Sequence, residues 1–276
     1  MKLNISFIEY IKEYIISNKL FIQNHKSKYT LDEILTVIEY ILVTGSSWRS
    51  LNLGIFKQQY IWQSFYYHFY KFCKMNLFKN IYTDILKKYF KTNISGKLKY
   101  LSIDSSFIKN EYASNVDFNN QYKKKRLSKL SLIVDSKGVP ISSILKAGNI
   151  SDQSLFNSNF KDILIDITCN NKNNKHKRYL LADSGYDSVA IKNKIKEYNI
   201  IPIIRYNKRN TKNKNIIAVN TLTKKESDTC IKRMVIENCF SWLYKNRRLC
   251  KRYDKQNIVY LNFLYIAFIK IIIKRF

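Results

Sequence analysis

Acidic residues are scarce in this chain. Against 49 lysines and arginines stand 20 aspartates and glutamates, which gives a formal charge of +29 over 276 residues. With only 2 prolines and 6 glycines, the sequence excludes collagen-like, linker-dominated and turn-rich all-β designs. Its five cysteines (73, 169, 230, 239 and 250) are odd in number and form no Cys-x-x-Cys pair. That argues against a disulfide framework and a structural zinc site, and for a reducing compartment. The three histidines have no partner at metal-ligand spacing and read as surface residues. No apolar stretch reaches the ~18–20 residues needed to span a bilayer. The longest, Ile258–Ile269, is interrupted by Asn262 and reads as a buried helix. Glu9 and Glu13 break the first apolar stretch, so neither a signal peptide nor a membrane anchor is expected and the protein should be soluble.

What remains is a folded, strongly basic body. Hydrophobic residues make up 46% and aromatics 14%, too many for a disordered basic tail. At roughly 100–200 residues per domain, the length allows one large domain or two small ones. Such an excess of positive charge calls for a negative field, and a nucleic-acid backbone is the commonest one. Lys, Asn, Ile and Tyr dominate, as AT-rich codons produce, and composition alone accounts for part of the charge.

Residues 1–96 read as helical. Thr30-Leu31-Asp32-Glu33 fits a capping box, apolar residues follow at 31, 34, 35, 38, 41 and 42, and Gly45 is a stop. A second helix over 57–74 aligns Trp62, Phe65, Phe69 and Phe72 on one stripe. The pair fits a helix-turn-helix or, equally well, a plain helical bundle. After Gly96 the pattern changes. Strands are expected at Tyr100–Asp104, Leu130–Val134, Val139–Leu145, Arg178–Asp183 and Ile200–Arg205, with a hairpin turn at Asp135–Gly138. Helices are expected from Ser151 to about Thr168, over Ser188–Asn199, as one long element over Cys230–Lys251, and over Val259–Lys274. The polar stretch 207–228 reads as a loop. The whole indicates a mixed α/β layer architecture.

Two carboxylates, Asp104 and Asp183, each close an apolar strand-like run, and strand ends are where α/β sheets present rigid functional groups. A lone Asp there is also a common turn residue or helix cap. A third acid, Glu237, lies in a helix amid Arg233, Arg247, Arg248 and Arg252, and simple pairing with Arg233 one turn earlier explains it equally well. The residue physics leaves these alternatives open.

The motifs Leu101-Ser-Ile-Asp104-Ser-Ser, Leu180-Leu-Ala-Asp183-Ser-Gly-Tyr-Asp187 and Arg233-Met-Val-Ile-Glu237-Asn-Cys-Phe-Ser-Trp242-Leu resemble, in order, the three signature blocks of DDE transposases. The chain is most similar to insertion-sequence transposases of families four and five. Lys245-Asn-Arg247-Arg248 through Lys255 resembles that group's basic tail, and Lys124–Lys129 with Leu132–Pro140 its hairpin. Gly148–Asp152 matches its strand-to-helix junction and Gly45–Leu51 its amino-terminal domain, so the similarity spans nearly the whole chain. Two positions depart: Cys230 stands where many members carry an aromatic, and Tyr244, beside Lys245, where a lysine is common.

The resemblance implies a ribonuclease-H-like α/β catalytic domain over 97–276, preceded by a small all-helical, DNA-binding domain over 1–96. Asp104, Asp183 and Glu237 would be both the catalytic acids and the metal ligands. Their hard oxygens suit Mg²⁺ or Mn²⁺, in the two-ion arrangement that serves in-line phosphoryl displacement. The implied partner is double-stranded DNA, as element ends and as target, handled by a homodimer or larger synaptic complex within the cell. No membrane and no small-molecule cofactor are implied. Lys124, Lys125, Arg126, Lys129, Arg233, Lys245, Arg247, Arg248 and Arg252 are the expected DNA contacts, although each cluster also suits a solvated face. The competing reading is a catalytically silent, transposase-derived DNA-binding protein. A generic basic RNA-binding protein would leave the three acids unexplained.

Overall fold

The computed structural model describes residues 6–21, 28–51, 61–91, 94–110, 112–113, 118–119, 125–167, 177–207, 215 and 221–275. By contacts the chain divides into two units. The first comprises Met1–Ile85, Lys109–Ser114 and Trp242–Phe276, the second Leu86–Ile108 and Asn115–Ser241. The sequence division at residues 96 and 97 follows pattern, whereas this one follows packing.

The first unit is helical. Helix α1 (Phe7–Ser17) and α2 (Leu31–Thr44) both begin with complete capping boxes, Ser6 with Glu9 and Thr30 with Glu33. In each, a hydroxyl and a carboxylate satisfy backbone N–H groups that the first turn leaves free. Gly45 ends α2 in the left-handed region at φ +72°, where a Cβ is penalised. Helix α3 (Trp62–Lys74) buries Phe65, Phe69 and Phe72 on the expected stripe, with Trp62 half-buried; the expected start at 57 lies outside the described residues. Helix α4 (Leu77–Phe90) follows, and the short α5 (Ile94–Lys97) leads into the sheet.

At the other end of the chain, α11 (Asn257–Ile273) is apolar on nearly all sides. Its Phe263 ring lies 4.5 Å from that of Phe69, and Phe268 lies 5.2 Å from Tyr82. An all-round apolar helix must be enclosed, and here the amino-terminal helices do part of the enclosing.

The second unit is built on a mixed sheet. Strand β1 (Tyr100–Asn110) stands at its centre, β2 (Phe118–Asn119) and β3 (Lys125–Val134) on one side, β5 (Arg178–Ala182) and β6 (Ile200–Ile204) on the other. Strand β4 (Pro140–Ala147) pairs antiparallel with β3 through a turn at Asp135–Gly138, where Gly138 has φ +81°. Strands β1, β5 and β6 run parallel. Helices α6 (Asp152–Lys161) and α7 (Val189–Glu197) carry the connections, each capped by a serine, Ser151 and Ser188. This is the ribonuclease-H-like α/β arrangement expected.

Three elements differ from expectation. β1 does not stop at Asp104 but runs on to Asn110, and its last two residues pair with β7 (Lys251–Arg252) in the first unit. Helix α6 ends at Lys161, short of the position near Thr168. The long helix expected over 230–251 is broken into pieces. Helix α8 (Lys224–Cys230) starts inside the stretch read as loop, a 3-10 turn covers Ile231–Arg233, and α9 (Met234–Tyr244) and α10 (Arg247–Cys250) follow.

Candidate active site

Parallel pairing of β1 with β5 aligns Tyr100 with Tyr179, Leu101 with Leu180 and Ser102 with Leu181. Two residues beyond the last pair on each strand come Asp104 and Asp183, so the register itself sets these carboxylates side by side. Both hold their nearest backbone donor: Ser105 N–H donates to Asp104 Oδ1 at 2.8 Å, and Ser184 N–H to Asp183 Oδ1 at 2.7 Å. Burial pushes the Asp104 carboxyl above its ordinary value, the Ser105 N–H and Arg233 oppose that, and the charge of Asp183 adds to the rise.

The third acid arrives on a separate element. Thr223 and Glu226 cap α8, and Cys230 at its end is buried against Leu181 and Ile203 of the sheet. The Lys232 ammonium lies 3.9 Å from the Tyr100 ring centroid, a cation–π contact that pins the following 3-10 turn. In α9 the buried Ile236, Cys239 and Phe240 fix the helix face, which leaves Glu237 exposed. Arg233, one turn earlier, reaches both acids. Its Nη1 donates to Asp104 Oδ2 at 2.7 Å and its Nη2 to Glu237 Oε1 at 2.8 Å. The same guanidinium therefore answers two carboxylates that the chain separates widely, which a planar fork of fixed donors does well.

Behind Asp104 lies a polar layer. The Ser105 hydroxyl donates to Asp152, the first residue of α6. Lys129 is buried, donating to the Ile150 carbonyl at 2.8 Å and to Asp152 at 3.3 Å. Tyr186 is buried too, and its hydroxyl makes no hydrogen bond of good geometry. Burial, with the charges of Asp152 and Asp104 nearby, holds it well above its ordinary value. Tyr186 and Asp152 were not singled out in the sequence as members of the acid site. Their signal was position alone, three residues after Asp183 and at a helix start.

The expected DNA contacts scatter. Arg126, Lys245 and Arg247 are exposed. Arg233 faces the acids. Lys129 is enclosed as described, Arg248 is buried with its guanidinium on Asp254 (2.5 Å) and on the Ser46 carbonyl, and Arg252 is buried against the Asp254 and Lys255 carbonyls and Asn257. Lys125 lies in β3, and Lys124 falls outside the described residues.

The family model of the transposase DDE domain matches residues 96–270. The chain belongs to this family. It is a transposase, and its family generally relies on divalent metal ions. Among solved structures it is similar to the piggyBac transposase in a synaptic complex with hairpin DNA. The TM-score is 0.54 at 10% identity, over 99% of this chain and 73% of that one. At that identity the likeness speaks for the fold. No curated protein matches the chain. Among the described residues no helix is long and apolar enough to cross a membrane.

The donor set suits a hard divalent cation: one carboxylate within β1, a second in register with it just past the end of β5, and a third acid on a docked helix. Among the described residues no three acidic, histidine or cysteine side chains stand grouped around a metal position, and Glu237 is turned onto Arg233. Yet that guanidinium is a cation held by Asp104 and Glu237 together, so these two carboxylates already converge on one positive charge.

Proposed function

We propose that this transposase binds the ends of a mobile DNA element, hydrolyses a phosphodiester there and joins the freed end to target DNA. The observation that carries the proposal is the placement of Asp104 and Asp183 by strand register, with Arg233 tying Asp104 to Glu237. In this reading Asp104, Asp183 and Glu237 hold Mg²⁺ or Mn²⁺, two ions in the arrangement the family resemblance implies. When bound, the metal would supply Lewis-acid activation of the attacking oxygen and charge stabilisation of the leaving one.

The chain's own part is positioning. β1 and β5 hold two carboxylates rigidly, and α9 presents the third with its apolar face locked. Water attacks the phosphorus at the element end, the bridging bond to the leaving oxygen breaks, and a 3′-hydroxyl is freed. That hydroxyl attacks a target phosphodiester, forms the new ester and releases the target's own 3′-oxygen. No protein nucleophile is required. Arg126, Lys245 and Arg247 contact the DNA backbone, and Arg233 turns to phosphate once the acids carry metal. Joining two ends calls for a dimer or larger synaptic assembly.

The test is Mg²⁺- or Mn²⁺-dependent nicking of an end-bearing duplex, beside a gel shift. Asp104→Asn, Asp183→Asn and Glu237→Gln should each lose nicking and keep duplex affinity equal or slightly higher, because repulsion toward phosphate falls. Glu226→Gln, which keeps its capping role on α8, should nick normally. Nicking by Glu237→Gln at the full rate would remove Glu237 from the site.

A further inference from the structure

The first unit contains a cavity of about 640 Å³ whose wall is mostly aromatic. Trp48, Trp62, Tyr66, Tyr112 and Tyr253 line it. Tyr112 and Tyr253 are 60% and 41% exposed, with ring centroids 6.4 Å apart. The remaining charged lining is cationic. Arg49 is exposed and lies 5.5 Å over the Trp62 ring, and Arg248 is fixed by Asp254 and the Ser46 carbonyl. Among the described residues no carboxylate lines the cavity.

This chemistry discriminates among ligands. Aromatic cages commonly take a quaternary ammonium, but the exposed Arg49 in the wall opposes a cation, while Arg248 is already matched by Asp254. A purely apolar ligand would leave Arg49 without use. A flat π-system carrying negative charge satisfies both features: rings stack on its face while an arginine meets its phosphate. The volume lies within the range of sites that enclose a small organic group. Stacking is indifferent to sequence because every base has a π-face, whereas a base paired in a duplex offers no free face.

We infer that the Trp48–Trp62–Tyr253 cavity is a binding site for an unstacked nucleobase of a single-stranded DNA segment, with its phosphate on Arg49. The inference rests on DNA being the substrate, but it concerns a site that contains none of the three acids. It gives the enzyme a place to hold unpaired nucleotides, which backbone contacts alone do not provide.

The full chain carries 3 tryptophans, two of which line this cavity. In a Trp242→Phe background, intrinsic fluorescence therefore reports on Trp48 and Trp62 alone. A short oligothymidylate should quench it saturably, and an abasic oligomer of equal length should bind more weakly without quenching. Tyr112→Ala combined with Tyr253→Ala removes two exposed rings without touching the core. It should weaken oligothymidylate binding about tenfold, the loss of roughly one stacked base. Equal binding and quenching by the abasic oligomer would overturn the proposal, as would undiminished affinity in the double variant. A duplex gel shift accompanies these titrations. Failure of duplex and single strand alike would count against the DNA reading itself, whereas duplex binding without base-dependent quenching would count against this site alone.

Discussion

Buried carboxylates in the second unit are held for different ends, and their surroundings tell them apart. Asp104 is only partly enclosed and faces another acid and an arginine. Asp135 is fully enclosed at the β3–β4 turn, where its Oδ1 accepts the Lys137 and Val139 N–H groups and its Oδ2 the Tyr89 hydroxyl. Those bonds tie a hairpin to α4 and leave no room for substrate. Burial nevertheless raises the Asp135 carboxyl above its ordinary 3.8. A raised carboxyl contributes stability that is complete below the unfolded value and is lost as pH rises through the folded value. The Tm of the protein relative to Asp135→Asn is therefore expected to fall as pH climbs from about 4 toward neutrality. Thermal melts of both proteins across that range check the sign, and a difference that grows with pH would contradict it. Asp135→Ala differs in kind. It removes the acceptor of the buried Val139 N–H and of the half-buried Lys137 N–H and should cost about 2–4 kcal/mol near pH 4, less as pH rises through the folded value, by the usual penalty for unsatisfied groups.

Helix ends were the most legible elements, because a cap is a local chemical event. Thr30 with Glu33 and Gly45 bound α2 where the sequence placed them. Gly45 is also hemmed in: a Cβ there would lie 3.1 Å from Arg247 Cβ. Gly45→Ala should therefore cost more than the ~1 kcal/mol of a left-handed alanine, and urea denaturation should show the lowered midpoint. The exposure of Glu237 follows from helical periodicity, since Ile236, Cys239, Phe240 and Leu243 define the buried face and leave it outside. Other features were hidden. Helix α8 (Lys-Lys-Glu-Ser-Asp-Thr-Cys) has no apolar period, and its first turns read as loop despite the Thr223–Glu226 capping box. Arg248 and Arg252 read as surface charge because periodicity scores arginine as polar. Their burial depends on Asp254, Asn257 and carbonyls that only the fold brings near. β1 runs past Asp104 because Ile108 and Asn110 remain buried, so an acid that looked like a strand end is an acid within a strand.

Across the whole molecule, charge and packing make separate demands. Packing places α11 with α1 and α3 in the first unit, so a fragment of 97–276 would leave Phe263, Phe268 and their neighbours uncovered. Such a fragment should aggregate rather than serve as an isolated catalytic domain, and light scattering of the purified fragment tests this. Charge demands a polyanion. Part of the +29 is spent inside, on Lys129, Arg248 and Arg252, and these cannot release counterions from DNA without unfolding their surroundings. Arg126, Lys245 and Arg247 are exposed, and many further lysines join them on the surface. If about 6–10 of them neutralise phosphates, duplex affinity should fall on the order of 10³–10⁵ between 50 and 200 mM salt. The variants separate the two populations. Lys245→Ala should reduce the slope of log affinity against log salt by about one, whereas Lys129→Met should leave the slope unchanged even if it lowers Tm. A flat titration of the unaltered protein would remove the basic surface from the DNA. An equal loss of slope in both variants would show that Lys129 leaves its place beside Asp152 on binding.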